Sequence, residues 1–256
     1  MEDQEANKEE QKTTSGPSVS APLEILVDEH EEEVSENGKP VRRQGIYLLP
    51  NLFTTGGLFA GFYAVIAAMR GDFEAAPIAV LAALILDGLD GRIARMTNTQ
   101  SKFGAEYDSL ADMVSFGVAP ALVMFSFALG DLGKFGWSAA FIYVACAALR
   151  LARFNTQVGS SDKRYFQGLA SPAAAAIIAG SVWFAVDYGV QPDQVSWAAG
   201  FMTLVVGLLM VSNVRYHSFK EFDPRDRIPF VTLVLIMLGF GVFVLHPPTI
   251  MFIGFL

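Results

Sequence analysis

From residue 48 onward, apolar stretches of bilayer-crossing length follow one another with short polar links between them. They cover 48–69, 73–95, 105–129, 136–155, 170–189, 194–212 and 228–246. A helix needs roughly 20 residues to cross the hydrocarbon layer. Lipid offers no partner for backbone N–H and C=O groups, so a chain built this way spans as helices. The predicted fold is all-α, a polytopic membrane helical bundle of about seven to eight transmembrane helices. The closing HPPTIMFIGFL (246–256) is too short to cross alone and reads as a half-span or the start of an eighth span. Composition agrees, with 52% hydrophobic and 17% charged residues and a mean hydropathy of +0.39.

The net charge of −8 is unevenly placed. Residues 1–38 carry 12 acidic residues and 2 lysines, while the rest of the chain carries 14 acidic and 16 basic residues. TTSGPSVSAP and EEEVSENG, within that acidic stretch, bury too little apolar surface to offset their ordering entropy. Two regions are predicted: an acidic, disordered cytoplasmic tail over 1–44 and a transmembrane domain over 45–256. The opening MEDQEANKEE is acidic, so a secretory leader is not expected. The links before span one and after spans two, four and six carry 14 Lys and Arg, and the intervening links carry only Arg70 and Lys134. That asymmetry places the N-terminus in the cytoplasm. The single cysteine, Cys146, lies in an apolar run and reads as a small buried hydrophobe. Nucleic acid is not an expected partner.

Charge at the inner end of span two breaks the apolar pattern. DGLDGRIAR (87–95) places Asp87 and Asp90 three residues apart, on one helical face, with Gly91, Ala94 and Arg95 on the same stripe. After a short basic turn, FGAEYDSLADMVSFGVAPA places Asp108 and Asp112 four apart, with Gly104 one turn earlier. A short link makes spans two and three antiparallel neighbours, so four carboxylates are expected in one place. Packed carboxylates repel and lose hydration, and either protonation or cations relieve that. Oxygen-only ligands suit magnesium or manganese. Two such ions about 3.5–4 Å apart would clamp an in-line attack on phosphorus. Gly91 and Gly104 remove side chains where a diphosphate or a neighbouring helix comes close. The bland alternative is that the aspartates form ion pairs with Arg92 and Arg95 at a helix end. In PNLFT, Asn51 and Thr54 share a face at the level of the aspartates, which suits either nucleotide contact or simple helix capping by Asn51.

Asp87-x2-Asp90-Gly91-x2-Ala94-Arg95-x8-Gly104-x3-Asp108-x3-Asp112 resembles the complete signature of the CDP-alcohol phosphatidyltransferase family. The resemblance implies a six-helix catalytic core and transfer of a phosphatidyl group from a CDP-linked lipid to an alcohol, with release of CMP. It implies two divalent cations held by Asp87, Asp90, Asp108 and Asp112, with Asp112 also the base. It puts CDP-lipid contacts on Asn51, Thr54, Gly91, Arg95 and Ser101, and it implies a homodimer without locating the interface.

The acceptor is read elsewhere. ALRLARFN (148–155) and RYFQGLASPAAAA (164–176) flank the third cytoplasmic link. Arg150, Arg153, Asn155, Lys163 and Arg164 are the acceptor-binding candidates, suited to a carboxylate or a phosphate. PNLFTTGGLFAGFYA, LRLARFN and FQGLASPAAAA together are similar to the bacterial, membrane-integrated phosphatidylserine synthases, over roughly 45–245. That similarity implies CDP-diacylglycerol and L-serine as substrates in a bacterial inner membrane. Ala170 departs from it, where proline is more usual in that group.

Two other enzyme readings and a transporter compete. Glycerol 3-phosphate could replace serine as acceptor. A prenyltransferase also carries Asp-rich motifs but does not call for Gly91, Ala94, Arg95 and Gly104 at these spacings. A cation transporter would place its aspartates at the midplane, often within internal repeats, and neither feature is present in the sequence.

Overall fold

The computed structural model describes residues 34–36, 39–41, 48–96, 102–157, 165–212, 215–217 and 247–255. Its contacts divide the chain into Met1–Gln44 and Gly45–Leu256. In the first unit, β1 (Val34–Glu36) pairs antiparallel with β2 (Lys39–Val41).

The second unit is an all-α membrane bundle. Its helices are α1 (Leu48–Met69), α2 (Ala75–Met96), α3 (Lys102–Asp112), α4 (Ala119–Met124), α5 (Lys134–Gln157), α6 (Ser171–Asp187), α7 (Pro192–Val211) and α8 (Pro247–Phe255). A π-helical segment, Met113–Val118, joins α3 to α4, and a second, Phe125–Leu129, follows α4. Among the described residues, Pro50–Met69, Phe103–Leu132, Lys134–Thr156 and Pro192–Val211 are long and apolar enough to cross a membrane. Six predicted spans thus find their helices, and the seventh, 228–246, lies outside the described residues. α8 is about 13 Å long at 1.5 Å per residue, too short to cross. It packs on α6, with Phe184 and Phe252 ring centroids 5.6 Å apart. A second short strand pair, unanticipated like β1 and β2, is formed by β3 (Tyr165–Gln167) and β4 (Arg215–His217), which run antiparallel in the links that come after α5 and α7.

Small residues decide the packing. Lipid tails are as apolar as leucine, so helices associate where small side chains let backbones approach. α6 illustrates this, with Ala174, Ala175, Ala176, Ala179, Gly180 and Ala185 all buried. α1 packs along α2, and α5 along α7. Gly61 is where α1 meets the π segment, since a Cβ there would lie 2.7 Å from Ser115 Cα. Gly168, at φ +80°, turns the α5–α6 link onto the end of α7, where Leu169 N–H donates to Leu209 O at 3.0 Å. Cys146 is buried, as its apolar setting predicts.

Spans two and three are neighbours, as the short link predicts, but the contact is made by the π segment and α4, while α3 itself packs mainly against α1.

Candidate active site

α1 organises the site because consecutive threonines tie it to both aspartate-bearing helices. Thr54 Oγ1 donates toward Pro50 O at 3.1 Å and toward Asp90 Oδ2 on α2 at 2.9 Å. Thr55 Oγ1 lies 2.9 Å from Tyr107 Oη on α3. Asp90 is the one fully buried charged side chain among the described residues, at 5% exposure. A buried carboxylate needs partners, and the Thr54 hydroxyl is one.

The four aspartates meet in a single cleft. Asp87, Asp90, Asp108 and Asp112 line it with Thr54, Gly57 and Ser115. Carboxylate oxygens of Asp87, Asp90 and Asp108 all lie within 4.8 Å of one another. Asp112 comes within hydrogen-bonding reach of Asp87. Such crowding is repulsive unless a cation lies between the groups. The donors are all oxygen and largely shielded from solvent, so the residues fit a hard divalent ion.

The arginines nearby do not neutralise this cluster. Arg92 and Arg95 are exposed, and Arg95 Nε turns back to Gly91 O at 2.9 Å. The helix-end ion-pair reading therefore finds no support among the described residues. A Cβ on Gly91 would meet nothing within 4 Å, so no neighbouring helix explains that glycine. Gly104 sits in α3 one turn before Asp108. Asn51 lies inside α1, which begins at Leu48, so capping is not its task. Ser101 lies outside the described residues.

The acceptor candidates divide. Arg150 Nη1 donates to Ser171 Oγ at 2.8 Å, and its buried Nε has no hydrogen-bond partner among the described residues. Arg153 Nη1 donates to Val211 O at 3.3 Å. Asn155 is joined to Ser109, between the two α3 aspartates, by a pair of bonds of 3.1 and 3.2 Å. Lys163 and Arg164 lie outside the described residues. Ala170, the departure from proline, has φ −63°, a value proline adopts.

Six lining residues escaped the sequence reading: Gly57, Leu58, Ala83, Ala111, Ser115 and Phe116. Ser115 lies seven residues after Asp108 and three after Asp112, so helical spacing alone marks it. Gly57 and Phe116 carry no such signal.

The model of the CDP-alcohol phosphatidyltransferase family matches residues 47–211. The chain belongs to this family. Members of the family with similar sequences include the CDP-diacylglycerol–serine O-phosphatidyltransferase of Helicobacter pylori strain J99. The two are 41% identical over 196 residues, covering 76% of this chain and 82% of that one. A protein of the same name from Mycobacterium tuberculosis strain H37Rv is 37% identical over 186 residues, 69% of this chain and 64% of its own. Another, from Methanocaldococcus jannaschii, is 37% identical over 138 residues, 54% of this chain and 61% of its own.

Proposed function

We propose that this protein transfers the phosphatidyl group of CDP-diacylglycerol to the hydroxyl of L-serine, giving phosphatidylserine and CMP. The observation that carries the reading is the convergence of Asp87, Asp90, Asp108 and Asp112 on one cleft. The choice of serine is supported by relatives of that name at 34–41% identity.

Two divalent cations, magnesium or manganese, held by the four aspartates would neutralise the diphosphate and make the acceptor hydroxyl more acidic. Asp112 accepts the proton of the serine hydroxyl as its oxygen forms the new bond to phosphorus. The bond from that phosphorus to the CMP oxygen breaks, and CMP departs with the electron pair. Thr54 holds Asp90 in place through its 2.9 Å hydrogen bond. Asn51, Thr54, Gly91, Arg95 and Ser101 serve the CDP-lipid, and the open space at Gly91 suits a diphosphate. Gly104 is the close-approach glycine.

Among the acceptor candidates, Arg150 is best supported. A buried donor without an acceptor is costly, and a serine carboxylate beside Arg150 Nε would satisfy it. Arg153 and Asn155 are already bound to Val211 and Ser109. They shape the acceptor side, and Lys163 and Arg164 add positive charge. The match of residues 47–211 to a family of phosphatidyltransferases favours an enzyme over a cation transporter.

The active site and N-terminus face the cytoplasm of a bacterial inner membrane. Residues 1–44 form an acidic tail, 45–256 the transmembrane catalytic domain, and the protein acts as a homodimer. An acceptor panel tests the reading: purified protein with manganese should release CMP from CDP-diacylglycerol when L-serine is added. Release with glycerol 3-phosphate and none with serine would overturn the acceptor.

A further inference from the structure

We infer that Tyr143 is a positioning residue for Asp112, acting through the π-helical turn next to it. The inference deepens the phosphatidyl-transfer reading and rests on it.

The turn begins one residue after Asp112 and covers Met113–Val118. Its cause lies in the sequence. In an α-helix the carbonyl of Phe116 would accept the N–H of residue 120, and residue 120 is proline. The ladder adjusts upstream as well: Ala119 N–H donates to Val114 O, five residues back. Phe116 is buried, at 1% exposure, so water cannot supply the missing donor.

Tyr143 supplies it. Its side chain, fully buried on α5, donates its hydroxyl to Phe116 O at 3.1 Å. On the other side, Ser115 Oγ donates to Gly57 O of α1 at 3.1 Å. Consecutive residues of the π turn are thus gripped from opposite neighbours. Ser115, Phe116 and Gly57 all line the aspartate cleft.

The grip sets orientation. A π turn inserts one residue into the helical register, which rotates the helix on its N-terminal side by about 100° relative to the helix on its C-terminal side. α4 and the second π segment are anchored among α1, α5, α6 and α7. The direction in which Asp108 and Asp112 leave α3 therefore depends on the turn being kept. Without the tyrosine hydroxyl, the Phe116 carbonyl has no α-helical donor and no donor from α5. The segment then repacks, and Asp112 moves relative to Asp87 and Asp90.

Tyr143→Phe tests this, because it keeps the ring and removes only the donor. The expected result is a fall in kcat of roughly five- to tenfold, the range one hydrogen bond accounts for. KM for CDP-diacylglycerol should stay unchanged, and the manganese concentration for half-maximal rate should rise. Pro120→Ala is the second variant, since it returns an N–H to the position that Phe116 O lacks. Tyr143→Phe should lower kcat less in that background than in the wild type, a non-additivity expected of residues sharing one partner. Wild-type kcat and an unmoved manganese curve in Tyr143→Phe, with only the melting temperature lowered, would make Tyr143 merely structural and overturn the inference. Direct manganese binding, followed by electron paramagnetic resonance without substrate, separates the two readings. If the wild type transfers no phosphatidyl group, the function is wrong, yet weaker manganese binding in Tyr143→Phe still upholds the positioning role. Equal binding overturns it.

Discussion

The acidic cleft and the basic end of α5 are built differently. On the acidic side, Asp87, Asp90, Asp108 and Asp112 crowd together, and α1 holds the frame through Thr54 and Thr55. On the basic side, each guanidinium is held by a group from a distant helix: Arg150 by Ser171 and Arg153 by Val211. The acidic side concentrates like charge, which a bound cation or a proton offsets. The basic side leaves one buried donor, Arg150 Nε, unmatched among the described residues. The cleft is therefore suited to metal, and the proposed reading gives Arg150 the anionic end of a small substrate.

Asp112→Asn probes that contrast most severely. It keeps the shape and removes the base, so turnover should fall by roughly 100- to 10,000-fold. CDP-diacylglycerol binding, measured by titration, should be largely retained. Unchanged turnover would move the base elsewhere.

Arg150→Lys addresses the basic end of α5. It replaces the fork that holds Ser171, and that is proposed to hold the acceptor, with a point charge. KM for serine should rise roughly tenfold or more, as for loss of a charge-assisted hydrogen bond, while KM for CDP-diacylglycerol stays constant. A rise in the lipid KM instead would place Arg150 on the nucleotide side.

Arg153→Lys should have the smallest effect. Its guanidinium already donates to Val211 O, so serine KM should change by less than about threefold, with a small drop in melting temperature. A serine KM change as large as that of Arg150→Lys would show that both arginines contact the acceptor.

The two regions also differ in how far the sequence reveals them. The aspartates were legible because residues three or four apart share a helical face, a property of the single helix. Ser115 was missed, although it lies three residues after Asp112. The division of labour between Arg150 and Arg153 was not, since both lie at the inner end of α5 with the same charge. Asn155 looked available to a substrate but is bound to Ser109, 46 residues away. The short link after span two marked spans two and three as neighbours, but which part of span three meets α2 was not legible: the π segment and α4 do, while α3 packs mainly against α1.

The helical bundle is dictated by the order of residues alone, because lipid forces each apolar span to satisfy its own backbone. So are the two aspartate pairs, each through the periodicity of its own helix. The groups that stand against those features are set by the packed bundle. Thr54 meets Asp90 across 36 residues, and Tyr143 meets Phe116 across 27. Such partners depend on which small residues let which helices approach, and that is a property of several spans together, not of any one of them.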